Sequence, residues 1–189
     1  MRAILCSRNA HKVRELQRLL PGWEIEPLDT SEYPPEQGES YYENARSKAR
    51  FGRAVGDRDV WTIGEDSGIE VQALDGRPGV QSARAGGDDP VGWLLGQLEG
   101  AENRLARYVS ELVALSPEGV EVRGTGVLHG TIATEARGSE GFGFDPVFVP
   151  EGATRTVAEL GNDWKAGNSH RARAAAELLT RLNEAVARR

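Results

Sequence analysis

The sequence predicts an α/β fold: a mixed twisted sheet flanked by helices, with two lobes around a central cleft. Three observations carry this. Strand-like and helix-like segments alternate early, the middle of the chain is rich in strand pattern, and a long amphipathic helix closes it. The length of 189 residues suits one domain spanning 1–189, without internal repeat, low-complexity tract or linker. The composition is globular, 39% hydrophobic and 28% charged, with a formal net charge of −6. That acidity disfavours a nucleic-acid partner, whose backbone is bound largely through cations, but leaves room for a small anion in a locally basic pocket. No apolar run approaches the roughly 20 residues that span a bilayer, so no membrane partner is expected. The N-terminus lacks a signal-peptide layout. The single cysteine, Cys6, has no partner for an internal disulfide and reads as a packed small hydrophobe. Together these predict a cytoplasmic protein.

Taken in order, Arg2 to Cys6 is a short strand, and Val13, Leu16, Leu19 and Leu20 recur at helical spacing until Pro21-Gly22. Between them lie Ser7, Arg8, Asn9, Ala10, His11 and Lys12. A strand running into a helix presents unpaired N–H groups and the positive end of the helix dipole. With Arg8 and Lys12 added, the loop suits phosphate oxygens; the plainer reading is a capped helix start. It lacks the glycine spacing of a P-loop. Trp23 to Leu28 alternates as a second strand, and Asp29 to Gly38, with Pro34-Pro35, excludes a helix. Ser40 and Glu43 form a capping box, starting a helix on which Asn44 and Lys48 share one face. That face points into a polar cleft or into water, with water the default.

The acidic stretch Gly64-Glu65-Asp66-Ser67-Gly68 lies between two strand-like runs, Val60 to Ile63 and Ile69 to Ala73, and reads as a strand end. Adjacent carboxylates there make either a solvated turn or a site for a hard cation or general base. Leu74 to Val80 is a loop, and Asp89-Pro90 caps a helix striped by Val91, Leu94, Leu95 and Leu98. Leu105 to Leu115 and Val120 to Ile132 are strands joined at Ser116-Pro117-Glu118-Gly119. Gly124, Gly126 and Gly130 mark bulges or a strong bend in the second. His129 lacks companions at ligand spacing and is structural. Gly138 to Phe148 alternates glycine with phenylalanine, which suits backbone approach to a flat ligand and aromatic stacking, or a loop tucking rings into the core. The segment Asn162 to Arg171 then precedes a final helix striped by Ala175, Leu178, Leu179, Leu182 and Val186. Ser169-His170-Arg171 at its N-terminus opposes the helix dipole, which invites a functional explanation.

In combination, a phosphate cradle, a carboxylate cluster, a stacking loop and a late Lys/Ser/His/Arg group point to a nucleoside triphosphate and a divalent cation. The chain resembles the inosine/xanthosine triphosphate pyrophosphatase family (HAM1-like, acting on non-canonical purine nucleoside triphosphates). The matching segments are Ser7-x-Asn9-x-x-Lys12, Glu36-x-Gly38 with Glu43-Asn44-Ala45-x-x-Lys48-Ala49, and Glu65-Asp66-Ser67-Gly68. They continue with Gly76-x-Pro78-Gly79-x-x-Ser82-Ala83-Arg84, Gly141-Phe142-Gly143-Phe144-Asp145-Pro146-x-Phe148, Ala158-Glu159-Leu160, and Lys165 before Ser169-His170-Arg171. They run in family order over nearly the whole chain. The resemblance implies hydrolysis of ITP, dITP and XTP to the monophosphate and pyrophosphate with Mg2+, by a homodimer. It implies Asp66 as general base, metal ligation by Glu36, Asp66 and Glu65, and triphosphate binding by Ser7 to Lys12. Ser67 becomes a substrate contact beside the base, and Phe142, Gly143, Phe144 and Asp145 the nucleoside-holding stretch, with Phe142 stacking. By the same resemblance, Lys165, His170 and Arg171 are expected to read the 6-keto purine edge. Arg8, Glu65, Phe144 and the stretch Trp164 to Asn168 depart from the family's commoner residues. The competing readings are a Maf-like pyrophosphatase for other modified nucleotides and a non-catalytic purine-nucleotide sensor.

Overall fold

The computed structural model describes residues 1–187, with side chains through 184. Its strands are β1 (Arg2–Leu5), β2 (Glu24–Pro27), β3 (Trp61–Val71), β4 (Leu105–Leu115), β5 (Glu121–Ile132) and β6 (Phe148–Pro150). Its helices are α1 (Ala10–Leu19), α2 (Tyr41–Val55), α3 (Pro90–Gln97), α4 (Val157–Asn168) and α5 (His170–Ala187). The strands form one six-stranded sheet in the order β2-β1-β3-β4-β5-β6. Strand β1 runs parallel to β2 and β3, whereas β5 and β6 are antiparallel. The sheet is therefore mixed and flanked by helices, as the pattern predicts. Among the described residues, no helix is long and apolar enough to cross a membrane.

The chain divides into two compact units. The first comprises Met1–Asp66, Ser110–Gly126 and Arg171 onward. Its core packs Leu5, Leu16, Leu20, Trp23, Ile63, Leu112 and Leu178 together. The second comprises Ser67–Val109 and Val127–His170, with Ile69, Val71, Leu94, Tyr108, Phe144 and Phe148 in its core.

Local signals explain most boundaries. Ser40 and Glu43 close the capping box of α2 reciprocally. Asp89 accepts from the Gly92 amide at 2.8 Å ahead of Pro90, and Gly119 donates to the Ser116 carbonyl at 2.9 Å in the β4–β5 turn. On α5, Ala175, Leu178 and Leu182 are buried and Leu179 partly so. The side chain of Val186, expected on the same stripe, lies outside the described residues.

Two expectations are corrected and one residue gains a reason. The acidic stretch is no strand end: β3 runs unbroken through Glu65 and Asp66, because tertiary partners satisfy both carboxylates in mid-strand. The segment around Lys165 is helical rather than a loop before the last helix, since Thr156 and Glu159 form a second capping box that starts α4. Gly124 has a packing reason the sequence did not state: a Cβ there would meet the Ala174 carbonyl and Leu178 of α5.

Gly64 has the same kind of reason, since a Cβ would run into the Ala45 carbonyl oxygen where α2 lies against β3. Gly64→Ala is expected to destabilise the fold by about 2–3 kcal/mol through overpacking. The urea midpoint checks it; an unchanged midpoint would show that α2 shifts without cost.

Candidate active site

Successive strand residues face opposite sides, so β3 sends its two carboxylates into different surroundings, both within the first unit. Asp66 faces α2. Its Oδ2 accepts from Asn44 Nδ2 at 3.1 Å and its Oδ1 from Lys48 Nζ at 2.8 Å. Lys48 Nζ also lies 2.5 Å from Glu36 Oε1 and donates to the Glu65 carbonyl at 3.2 Å. Asn44 Oδ1 accepts from the Gly38 amide at 2.8 Å, which ties the loop carrying Glu36 to the same place. The default that left Asn44 and Lys48 to water is overturned, for they are 2% and 8% exposed. Their shared helical face meets a buried acid, and a buried charge needs a partner.

Burial, aided by neighbouring Glu65, raises the Asp66 carboxyl above its ordinary value of 3.8 even against the attraction of Lys48. Burial works to lower Lys48, but Asp66 and then Glu36 outweigh it and hold the ammonium charged. The pair's attraction is thus visible from the lysine side, whereas at Asp66 desolvation is the larger effect.

Glu65 faces the other way and is fully buried. Its Oε1 accepts from Arg171 Nε at 3.1 Å, Arg171 Nη2 at 3.0 Å and Ser110 Oγ at 3.2 Å. Its Oε2 lies 2.5 Å from Lys12 Nζ. Arg171 also pairs with Glu15. Burial alone would raise the Glu65 carboxyl, but Arg171 and then Lys12 reverse this and hold it well below the usual carboxylate range. The cations at the start of α5, which work against the helix dipole, find their reason here for Arg171: Glu65 and Glu15 offset the penalty.

The donor set allows a test of magnesium. Lys48 shows that Glu36 and Asp66 converge on a single cation, and hard carboxylate oxygens in that number suit Mg2+, which is usually held by one or two carboxylates plus substrate phosphates and water. Glu65 does not fit. Both its oxygens are committed to Arg171, Ser110 and Lys12, and it faces away from Asp66. Among the described residues, no group of three or more His, Cys, Asp or Glu side chains forms an all-protein cage.

Of the expected phosphate loop, Lys12 alone enters this centre. Asn9 caps α1 by accepting from the His11 amide at 2.9 Å, and Ser7 Oγ accepts from the Asn9 amide at 3.1 Å. Arg8 is committed elsewhere, donating to the Ser31 carbonyl at 3.1 Å with its guanidinium over the Tyr33 ring. Ala10 and His11 are exposed, His11 against Arg14.

The second unit holds the remaining expected residues. Asp145, buried, accepts from Lys165 Nζ at 2.8 Å, the Phe142 amide at 2.9 Å and Tyr108 Oη at 3.4 Å. The Lys165 ammonium sits 4.6 Å from the centre of the partly exposed Phe142 ring. His170 stacks on Tyr108 with ring centres 4.5 Å apart. This clusters Phe142, Asp145, Lys165 and His170 as expected, with Gly143 exposed on the same loop. Ser67, the residue after Asp66 on β3, is partly exposed. Two expectations are corrected. Phe144 is 5% exposed and packs into the core, so it offers no face to a ligand. Arg171, expected to read the purine edge, is committed to Glu65 and Glu15 within the first unit. Sequence reasoning missed Tyr108, which no local pattern distinguishes from a core aromatic. It also undervalued Lys48 and Asn44, whose spacing of four was the available signal.

The fold and these centres define an α/β protein with a lysine-bridged pair of carboxylates of the kind used on metal-bound phosphates, and an aromatic–lysine cluster of the kind used on flat ligands. The chain belongs to the Ham1 family, whose model matches residues 3–181. It is 43% identical to a dITP/XTP pyrophosphatase of Symbiobacterium thermophilum over 189 residues, covering 96% of this chain and 94% of that protein. It is 43% identical to the dITP/XTP pyrophosphatase of Bdellovibrio bacteriovorus over 155 residues, 78% of this chain and 77% of that protein. The Staphylococcus aureus Ham1 protein superposes with a TM-score of 0.84 at 29% identity, covering 97% of this chain and 99% of the other.

Proposed function

We propose that this protein hydrolyses non-canonical purine nucleoside triphosphates, dITP, ITP and XTP, to the monophosphate and pyrophosphate. The observation that carries the reading is the convergence of Glu36, Lys48 and Asp66 on one point, with Asn44 holding Asp66 in place. Relatives of this length and identity bear the name dITP/XTP pyrophosphatase.

Glu36 and Asp66 would hold Mg2+, and the ion would supply charge neutralisation on the phosphate oxygens. Asp66 orients water and takes its proton as the water attacks the α-phosphorus, so that the α–β phosphoanhydride breaks and pyrophosphate leaves. Lys48 and Lys12, released from their carboxylates by the incoming anion, pair with phosphate oxygens. Glu65, freed of Lys12, keeps its pair with Arg171.

On the base, Phe142 stacks and Lys165 and His170 face the purine edge. A donor placed for a keto oxygen meets the 6-amino group of adenine with no acceptor, at a cost of about 1–3 kcal/mol per buried group. Magnesium, a homodimeric state and a cytoplasmic location belong to the same proposal and rest on the resemblance and on the two-carboxylate set.

A substrate panel with direct pyrophosphate detection tests it. With Mg2+, release from ITP is expected to exceed that from ATP or GTP by about tenfold or more, the ratio set by one or two unpaired donors. Preference for modified pyrimidines would replace this reading with a Maf-like one. No pyrophosphate from any triphosphate would leave a nucleotide sensor.

A further inference from the structure

The second unit contains a tie that the chemistry above does not use. Gly161, at φ 88°, breaks α4 into segments 157–160 and 162–168. A helix restarting at 162 exposes amides that need acceptors, and glycine at the break offers no side chain to cap them. Glu140 fills the role from the neighbouring loop: its Oε2 accepts from the Asn162 amide at 2.9 Å and from Asn162 Nδ2 at 2.8 Å. Both oxygens of Glu140 lie 3.2 Å from where a Cβ on Gly161 would stand, so the carboxylate and the glycine are fitted to each other. Gly138 lies against the first segment in the same way, since a Cβ there would meet Ala158 and the Glu159 amide.

Two residues after Glu140 comes Phe142, and three after Asn162 comes Lys165. The same two elements are joined a second time through Asp145, which is buried and holds the Phe142 amide and the Lys165 ammonium. Asp145 fixes the pair from inside; Glu140 fixes the loop against the helix segment from outside. We propose that Glu140 is a positioning residue for base recognition: by capping the 162–168 segment it sets the Phe142 ring beneath Lys165 and so contributes to the preference for 6-keto purines. This rests on the nucleotide reading given above. Glu140 touches no reacting atom, and its effect falls on binding of the base.

The test compares the full-length protein with Glu140→Ala and Glu140→Gln, using ITP and ATP with Mg2+, and ITP binding by calorimetry in EDTA. Glu140→Ala is expected to raise KM for ITP and to weaken ITP binding by about three- to tenfold, the loss of one or two hydrogen bonds. The kcat should stay within about twofold, as expected for lost uniform binding, and the ITP-to-ATP ratio should shrink by the same factor as KM rises. Glu140→Gln keeps an acceptor oxygen and should recover most of the loss. Unchanged KM, binding and ratio in Glu140→Ala would overturn the proposal. A fall in kcat and Tm with KM unmoved would do so as well, because it would mark Glu140 as merely structural. If the unaltered protein neither binds ITP nor releases pyrophosphate from it, the nucleotide reading fails and takes this proposal with it; a parent that binds ITP with an indistinguishable variant sinks the proposal alone.

Discussion

Asp66→Asn is expected to lower pyrophosphate release from ITP by about 10²–10⁴-fold, the range associated with losing a general base, while leaving ITP binding nearly intact. The substitution keeps size and shape. It keeps an acceptor for Asn44 or Lys48 but removes the charge that takes the water proton and helps hold a cation. Lys48 then loses one of two carboxylate partners and retains Glu36. Single-turnover rates and calorimetric ITP affinity, measured on one preparation, separate the two effects. Turnover near the parent's would remove Asp66 from its role, and lost binding with lost turnover would make it a binding group instead.

Glu65→Gln should act on stability. Arg171 is 1% exposed and is held by Glu65 and Glu15, and Lys12 pairs with the other Glu65 oxygen. Neutralising Glu65 leaves buried cations short of their counter-charge, and breaking such a pair typically costs about 3–5 kcal/mol. In a chain of 189 residues that corresponds to a Tm lower by roughly 10 °C.

The pH dependence has a definite sign. Because the folded carboxyl lies below its ordinary 4.5, Glu65 contributes stability that is fully present above that value. The contribution is lost as pH falls below about 4.5 toward the folded value, so the parent's advantage over Glu65→Gln should shrink in acid. Denaturant midpoints from pH 7 to 3 check this. A metal ligand would behave differently: its loss would raise the Mg2+ concentration needed for activity. A shifted Mg2+ requirement with unchanged stability in Glu65→Gln would return Glu65 to the metal site.

The elements with local instructions were legible. Capping chemistry marked Ser40 and Asp89, Pro21-Gly22 ended α1, and period-two runs marked β4 and β5. The second capping box, Thr156 with Glu159, is equally local, and it starts the helix that carries Lys165. The candidate site was legible in part. Phe142, Asp145, Lys165 and His170 do cluster, and Asp66 does meet Lys48 and Glu36. Phe144 and Arg171 were misjudged because burial of an aromatic or a guanidinium depends on residues far along the chain: Arg171 meets Glu65 across 106 positions.

By itself, the sequence determined the α/β class, most element boundaries and the short list of candidate site residues, because caps, turns and hydrophobic period are properties of neighbouring residues. What each of two adjacent acids would meet was decided only by the tertiary structure. Strand alternation turns Glu65 toward Arg171 and Lys12 and Asp66 toward Lys48 and Asn44, and no local pattern states what waits on either side of β3. The charge each carboxylate meets there, with burial, holds Glu65 well below the usual carboxylate range and raises Asp66 above its ordinary value.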